Sequence, residues 1–160
     1  MNILVLCTGN SARSILAEAL FNHMGQGRVH AYSAGSKPAG KVNPFALSAL
    51  EANGIATGGF RSKSWDEFAE DGAPEMDVVL TVCGNAAGET CPVWIGAPIT
   101  VHWGFPDPAA AVGSDDEIAA AFAETYTGLC RNIEAFMALD FETLSKSDIQ
   151  SAMIAIHQNV

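Results

Sequence analysis

The chain has 160 residues, 49% of them hydrophobic, and this length is sufficient for one domain with a substantial core over residues 1–160. Eight basic against eighteen acidic residues give a net charge of −10, which argues against nucleic acid or an anionic membrane as a partner. The sequence has no apolar run of membrane-spanning length and no basic, apolar leader, so we expect a protein of the reducing cytoplasm.

Short apolar runs alternate with segments of helical periodicity along the chain. Strands are predicted over residues 3–6, 29–34, 77–82 and 99–102. Helices are predicted over about 12–24, over 44–53, from Ser64, from Ser114 and over 147–157, with loops at 36–44, 57–64 and 84–98. This order predicts an α/β fold in which a four-stranded parallel sheet has helices on both faces. Ligands of such folds bind beyond the carboxyl ends of the strands.

The segment from Cys7 to Ser14 lies between the first predicted strand and the first helix. Backbone N–H groups in such a turn, at the positive end of a helix dipole, form a binding site for an anion. Here Cys7 is expected to have a lowered pKa and to act as a thiolate nucleophile, while Arg13 can donate two N–H groups to a tetrahedral oxyanion. The alternative is a buried cysteine at a strand end with a surface arginine.

The remaining residues of this loop have expected supporting roles. Gly9 allows close approach of the backbone, Asn10 tolerates an unusual backbone conformation and can brace the loop, and the Ser14 hydroxyl can donate to the thiolate. The predicted oxyanion-binding residues are Thr8, Gly9, Asn10, Ser11, Ala12, Arg13 and Ser14.

Asp107 follows the fourth predicted strand, between Pro106 and Pro108. Attack of a thiolate on a tetrahedral oxyanion expels an oxygen, and a positioned carboxylic acid assists by protonating it. An ordinary Asp-Pro turn is equally consistent with the residues alone.

Cys83 and Cys91 flank a Gly-rich segment after the third predicted strand. Thiols in such a segment can meet and exchange disulfides. Two other interpretations are a zinc site, which lacks a second pair of ligands, and two buried thiols without chemistry. Cys130 lies on the apolar face of the helix that begins at Ser114 and is expected in the core.

The histidines carry no motif of their own. His23, His30 and His157 have no partner at useful spacing and are expected at the surface or at an edge. The pair His102 and Trp103 is expected to pack beneath the loop that carries Asp107.

The Cys7–Ser14 segment resembles the phosphate-binding loop of the low-molecular-weight protein tyrosine phosphatases, and Asp107 with Pro108 stands where that family carries its general acid. With the segment from Cys83 to Pro92, the chain looks like the arsenate reductases that share the phosphatase fold. The resemblance covers nearly the whole chain and includes Ser33-Ala34-Gly35 and His102-Trp103-Gly104.

The chain departs from the phosphatases in its aromatic residues. Ala109 follows the Asp-Pro pair where they usually have an aromatic, and residues 35–41 contain none. Since such rings hold a phosphotyrosine by stacking, their absence favours a small inorganic oxyanion as the substrate.

The resemblance implies a sequence of thiol steps. Cys7 attacks arsenate, Asp107 protonates the departing oxygen, and Cys83 then attacks the Cys7 sulfur, which releases arsenite. Cys91 carries the disulfide outward for an external thiol reductant, thioredoxin or a glutaredoxin type, with no bound cofactor. Phosphate or sulfate would mimic arsenate. The alternatives are a phosphatase acting on protein or small molecules and a non-catalytic thiol redox sensor.

Some relatives bind a potassium ion beside the loop. Asn10, Glu18 and Ser33 match three of its ligands, but Ser64 stands where the family has an aspartate. We therefore predict no metal site, and Glu18 has an ordinary alternative as a solvated helix residue.

Overall fold

A computed structural model describes residues 1–89 and 94–159, and it contains one four-stranded parallel sheet in the order β2-β1-β3-β4. The strands are β1 (Asn2–Leu6), β2 (His30–Ala34), β3 (Val78–Thr81) and β4 (Ile99–His102). The helices are α1 (Arg13–Gly25), α2 (Pro44–Ala52), α3 (Gly84–Gly88), α4 (Asp115–Met137) and α5 (Lys146–Gln158). Two short 3₁₀ turns cover Trp65–Phe68 and Pro108–Ala110. The predicted α/β class with a four-stranded parallel sheet is confirmed.

The register of the sheet brings the ends of its strands to one edge. Leu6 of β1 pairs with Ala34 of β2 and with Thr81 of β3, and Thr81 pairs with His102 of β4. The segments that follow these residues therefore leave the sheet side by side. They carry Cys7, Cys83 and Asp107, which the sequence places far apart.

The two faces of the sheet are covered differently. Ile3 and Val5 of β1 face the larger core, to which all the long helices contribute buried side chains. Leu4 and Leu6 point to the opposite face, where Phe68 of the first 3₁₀ turn packs. This alternation along β1 follows from the two-residue period of a strand. Both sides of the central strand are thus completely buried.

Some helix ends follow the predicted capping patterns and others do not. The Ser114 hydroxyl accepts a hydrogen bond from the Glu117 N–H (3.2 Å), which confirms the predicted start of α4. The helix predicted from Ser64 is only a four-residue 3₁₀ turn. The Ser64 hydroxyl caps this turn by accepting a hydrogen bond from the Asp66 N–H. The predicted loop 84–98 contains helix α3, whose N-cap is the Cys83 sulfur. The amino-acid composition of a Gly-rich segment does not predict a helix capped by a cysteine sulfur.

Trp103 joins β4 to the last helix. The residue is fully buried, its ring lies 6.0 Å from that of Phe21, and its Nε1–H donates to the Met153 carbonyl of α5 (2.8 Å). The prediction is thus confirmed for Trp103 but wrong for His102, which is exposed at the end of β4 with its Nδ1 2.8 Å from the Thr81 hydroxyl. In the described part of the chain, no helix combines the length and the apolar character needed to cross a membrane.

Trp103 should stabilise the fold through both its packing and its hydrogen bond. We expect Trp103→Ala to lower the free energy of unfolding by about 3–5 kcal/mol. Trp103→Phe keeps most of the apolar contact but leaves the Met153 carbonyl without its donor, at a cost of about 1–3 kcal/mol. Urea unfolding of the two variants checks this, and equal losses in both would contradict a separate role for the hydrogen bond.

Candidate active site

The loop between β1 and α1 is built around Asn10. This side chain is fully buried, and its backbone has a φ of 44°, in the left-handed region. Its amide nitrogen donates to the hydroxyls of Ser14 and Ser33, each at 2.9 Å, and its oxygen accepts from the Lys63 N–H. Asparagine adopts this backbone conformation more readily than most residues. The predicted brace is therefore present, and it ties the loop to β2 and to residue 63.

The loop retains donors for an anion. Within the described residues, the backbone N–H groups of residues 10–12 donate to no other residue. The Nη1 of Arg13 donates to the Phe105 carbonyl (2.8 Å), while its buried Nε has no partner in the described part of the chain. With 13% of its side chain exposed, Arg13 is no ordinary surface arginine. Loop and guanidinium together provide N–H donors of the kind that bind oxyanions.

Gly35 supports the loop from beneath. A Cβ at this position would lie 2.4 Å from the Thr8 carbonyl oxygen and 2.7 Å from that of Cys7. Only glycine permits this close approach. The sequence indicated Gly35 merely as the residue that ends a strand.

Two thiols meet at the mouth of the loop. Cys7 and Cys83 are both buried and free, and they lie close enough for each to shift the pKa of the other. The Cys83 sulfur also accepts from the N–H groups of Thr8 and Ala86, each at 3.4 Å. The hydrogen bond from Cys7, together with these two backbone donors, lowers the pKa of Cys83 to about 5. Cys83 is therefore a thiolate at pH 7.

The predicted lowering of the pKa of Cys7 is wrong in this arrangement. The hydrogen bond to Cys83 and burial raise the pKa of the Cys7 thiol, and the Arg13 charge opposes them only in part. The prediction considered the loop alone, whereas the fold brings a second sulfur against Cys7. In this pair the proton is favoured on Cys7 and the negative charge on Cys83.

Asp107 has features of both alternatives that the sequence left open, the Asp-Pro turn and the acid beside the oxyanion loop. Its Oδ1 accepts from the Ala109 N–H (3.0 Å) and so caps the second 3₁₀ turn, as in an ordinary Asp-Pro turn. The same oxygen lies 3.7 Å from the Arg13 Nη2, and the carboxylate remains 46% exposed. Asp107 is therefore adjacent to the oxyanion loop and open to solvent, as a proton donor requires.

The space beside the thiols is small and polar. A cavity of about 450 Å³ is lined by Thr8, Lys37, Gly84, Gly88 and Glu89. The Thr8 hydroxyl donates to the Glu89 carboxylate (3.0 Å), a contact for which the sequence held no signal. These lining residues include no aromatic. Cys91, the third predicted thiol, lies outside the described residues, and Cys130 is half-buried on α4.

A carboxylate with only 16% of its side chain exposed lies beneath the loop. Glu18 accepts a hydrogen bond from the Ser33 hydroxyl, which in turn bonds to Asn10, so Glu18 is not the solvated residue considered above. Burial raises the pKa of Glu18. The Nζ of Lys63 lies 4.0 Å from this carboxylate, and the Lys63 residue is 8% exposed. The place beside Glu18 is thus filled by an ammonium group, which the sequence reasoning missed.

The donors for a metal ion are correspondingly few. Residues 1–89 and 94–159 contain no group of three His, Cys, Asp or Glu side chains arranged to hold one. Of the residues considered for a cation, Ser64 caps the first 3₁₀ turn.

One histidine differs from its prediction. His23 and His30 are exposed, as expected, but His157 is not an isolated surface residue. Its ring lies 5.5 Å from that of Phe105 and 6.5 Å from that of Trp103. A histidine this far along the chain gives no sequence signal for such contacts, because both partners come from the segment after β4.

The sequence model of the low molecular weight phosphotyrosine protein phosphatases matches residues 2–150. An arsenate reductase of Halalkalibacterium halodurans is 37% identical over 134 residues, which cover 84% of this chain and 93% of the relative. One from Bacillus licheniformis is 36% identical over 135 residues, with the same coverage of each chain. A solved structure described as an arsenate reductase in the phosphate binding state superimposes with a TM-score of 0.68 at 27% identity, covering 86% of this chain and 96% of the other.

The proton distribution in the thiol pair is testable by titration. Absorbance of thiolate near 240 nm should rise in a step near pH 5 from Cys83. Cys83→Ala should abolish this step and lower the pKa of Cys7, because its largest raising influence is removed. Cys7→Ala should move the Cys83 step to higher pH, since a donor to the sulfur is lost. A step near pH 5 that survives Cys83→Ala would assign the thiolate to another residue.

Proposed function

The chain belongs to the low molecular weight phosphotyrosine protein phosphatase family, and on this premise we propose that it is an arsenate reductase. The observation that carries the proposal is the contact between the Cys7 and Cys83 thiols at the oxyanion loop. Hydrolysis of a phosphate ester needs one nucleophilic thiol. A two-electron reduction needs a second thiol within reach, and Cys83 meets that requirement. The two arsenate reductases that are 37% and 36% identical to the chain support the same proposal.

The proposed substrate is a small tetrahedral oxyanion. Free N–H groups of residues 10–12 and the Arg13 guanidinium match its oxygens in number and charge. Phosphate should bind in the same place, in keeping with the structural relative in a phosphate-binding state. The cavity residues provide no aromatic surface for a phosphotyrosine ring.

In the first step the Cys7 sulfur forms a bond to arsenic and one arsenic–oxygen bond breaks. Cys7 must first lose its proton, and the Arg13 charge and a hydrogen bond from the Gly9 backbone stabilise the thiolate that results. Asp107 gives a proton to the departing oxygen, which leaves as water. The proton released by Cys7 balances the one consumed here.

In the second step the Cys83 thiolate attacks the Cys7 sulfur. The sulfur–arsenic bond breaks and its electron pair stays on arsenic, so As(V) becomes As(III). The two thiols become one disulfide. In sum, one arsenate and two thiols give one arsenite, one disulfide and one water. Once Cys7 is bonded to arsenic, its thiol no longer donates to Cys83, and the N–H groups of Thr8 and Ala86 remain as donors that favour the Cys83 thiolate.

Recovery of the thiols completes the proposal. Cys91 exchanges with the Cys7–Cys83 disulfide, and an external thiol reductant of the thioredoxin or glutaredoxin type then reduces the chain. Such a cycle belongs in the cytoplasm, where thiol reductants are maintained.

The second candidate function is hydrolysis of small phosphate esters. It is favoured by the position of Asp107 beside Arg13, since the same acid would protonate an alcohol leaving group. It requires Cys7 and Asp107 but neither Cys83 nor Cys91. A thiol redox sensor, in contrast, would tolerate replacement of Arg13 and Asp107.

The proposed function is tested by a single turnover without added reductant. The parent chain should release about one arsenite per chain and lose two titratable thiols. Cys7→Ser and Cys83→Ser should abolish release, whereas Cys91→Ser should permit one turnover and block recycling. Cys130→Ser is the matched control and should behave like the parent.

Two results would reject this assignment. One is an absence of arsenite together with hydrolysis of an aryl phosphate that depends on Cys7 alone, which would establish the phosphatase. The other is full arsenite release by Cys83→Ser, which would remove Cys83 from the reaction.

A further inference from the structure

Phe105 connects the two charged groups of the site. Its carbonyl accepts from the Arg13 Nη1 at 2.8 Å, and Asp107 follows two residues later. A shift of the Phe105 backbone would therefore move the guanidinium and the carboxylate together. Errors of about 1 Å in such groups are costly for catalysis.

The Phe105 ring is held from two sides. The His157 ring lies 5.5 Å away on α5, with a tilt of 55° between the planes. On α4, the backbone of Gly128 lies so close that a Cβ there would be 2.7 Å from the Phe105 Cε1. The ring thus occupies a slot between the last two helices.

His157 is itself fixed. Its Nδ1 lies 3.0 Å from the Asn132 amide nitrogen of α4, and Asn132 is 1% exposed. Its ring stacks on Trp103 at an interplanar angle of 22°. Burial lowers the pKa of His157, so the ring is neutral at pH 7 and its Nδ1 can accept from Asn132.

The segment after β4 has room to move unless it is held. A cleft of about 700 Å³ lies between residues 105–108 and the face of α4 that carries Gly128 and Arg131. A short loop beside such a space gains little from packing on that side. The Phe105 N–H donates to the Val82 carbonyl (3.1 Å), which holds the backbone, and the slot adds the contact that holds the Phe105 ring on the side of α4 and α5.

We propose that His157 is a positioning residue which, through the Phe105 ring, holds Arg13 and Asp107 in place for oxyanion binding and proton donation. The inference rests on the proposed function, because that function makes Arg13 and Asp107 parts of the site. His157 lies beyond residue 150, where the match to the family model ends. Its partners Phe105 and Gly128 lie within the matched range, so His157 is the part of this arrangement that the shared family pattern does not describe.

The test compares His157→Ala with His157→Phe in the full chain. Calorimetry with inorganic phosphate gives its dissociation constant, and steady-state assays with excess reductant give kcat and KM for arsenate. His157→Ala should weaken phosphate binding and lower kcat, each by about tenfold, a fraction of the loss that a full 1 Å error causes. His157→Phe keeps a ring against Phe105 and should stay within about threefold of the parent.

Two further variants separate positioning from general stability. Ile154→Ala changes an exposed residue of the same helix and should leave both readouts unchanged. Gly128→Ala pushes on the Phe105 ring from the other side, suits a helix, and should reproduce the losses of His157→Ala. Hydrogen exchange over residues 103–110 should accelerate in His157→Ala and in Gly128→Ala only.

The outcomes are distinct. Phosphate affinity, kcat and exchange that remain at parental values in a folded His157→Ala chain overturn the proposal. Equal losses in Ile154→Ala would show general destabilisation and overturn it as well. A parent that binds phosphate but releases no arsenite contradicts the proposed function alone, and the phosphate and exchange measurements still decide the role of His157.

Discussion

The proximity of the Cys7 and Cys83 thiols is the constraint around which the site is arranged. It exists because Leu6 and Thr81 are paired in adjacent parallel strands, so the residues just beyond them leave the sheet together. A slip of one residue in this register would turn every side chain of a strand to the other face. The buried side chains on both faces of β1 resist such a slip. The core therefore determines the distance between two thiols that are 76 positions apart in sequence.

Charge in this site is local. The chain carries a net charge of −10, which repels an oxyanion at long range. Within the site, Arg13 and the free N–H groups of the loop supply positive potential, and Lys63 offsets the buried Glu18 beneath it. The raised pKa of Cys7 disfavours a second negative charge in the thiol pair. In the proposed reaction this distribution would admit an anion to the loop and leave Cys83 as the attacking thiolate.

The sequence predicted the parts of this arrangement that depend on local pattern. The apolar runs located all four strands to within a residue or two, and Ser114 marked the start of α4. The spacing of Cys7 and Arg13 around Asn10 predicted the loop, and Asn10 has the backbone conformation that was anticipated. These features are encoded by neighbours along the chain. The carboxyl-edge rule for parallel sheets then placed Cys83 and Asp107 nearby.

The features that were missed depend on neighbours brought in by the fold. Cys83, together with burial, raises the pKa of Cys7. The ammonium of Lys63, in the loop after α2, meets Glu18 of α1. His157 meets Phe105 only because α5 returns to the sheet. None of these pairs has a characteristic spacing. Sequence reasoning identified the chemical groups of the site but expected a lowered pKa at Cys7, where Cys83 and burial raise it.

The central claim is that Cys7 and Cys83 act as one redox pair, and disulfide mapping tests it most directly. The Cys91→Ser chain is treated with one equivalent of arsenate without reductant, the free thiols are alkylated, and the peptides are weighed. We expect a peptide pair linked through Cys7 and Cys83, with Cys130 alkylated. Recovery of Cys7 and Cys83 as alkylated thiols, with arsenate unchanged, would contradict the account.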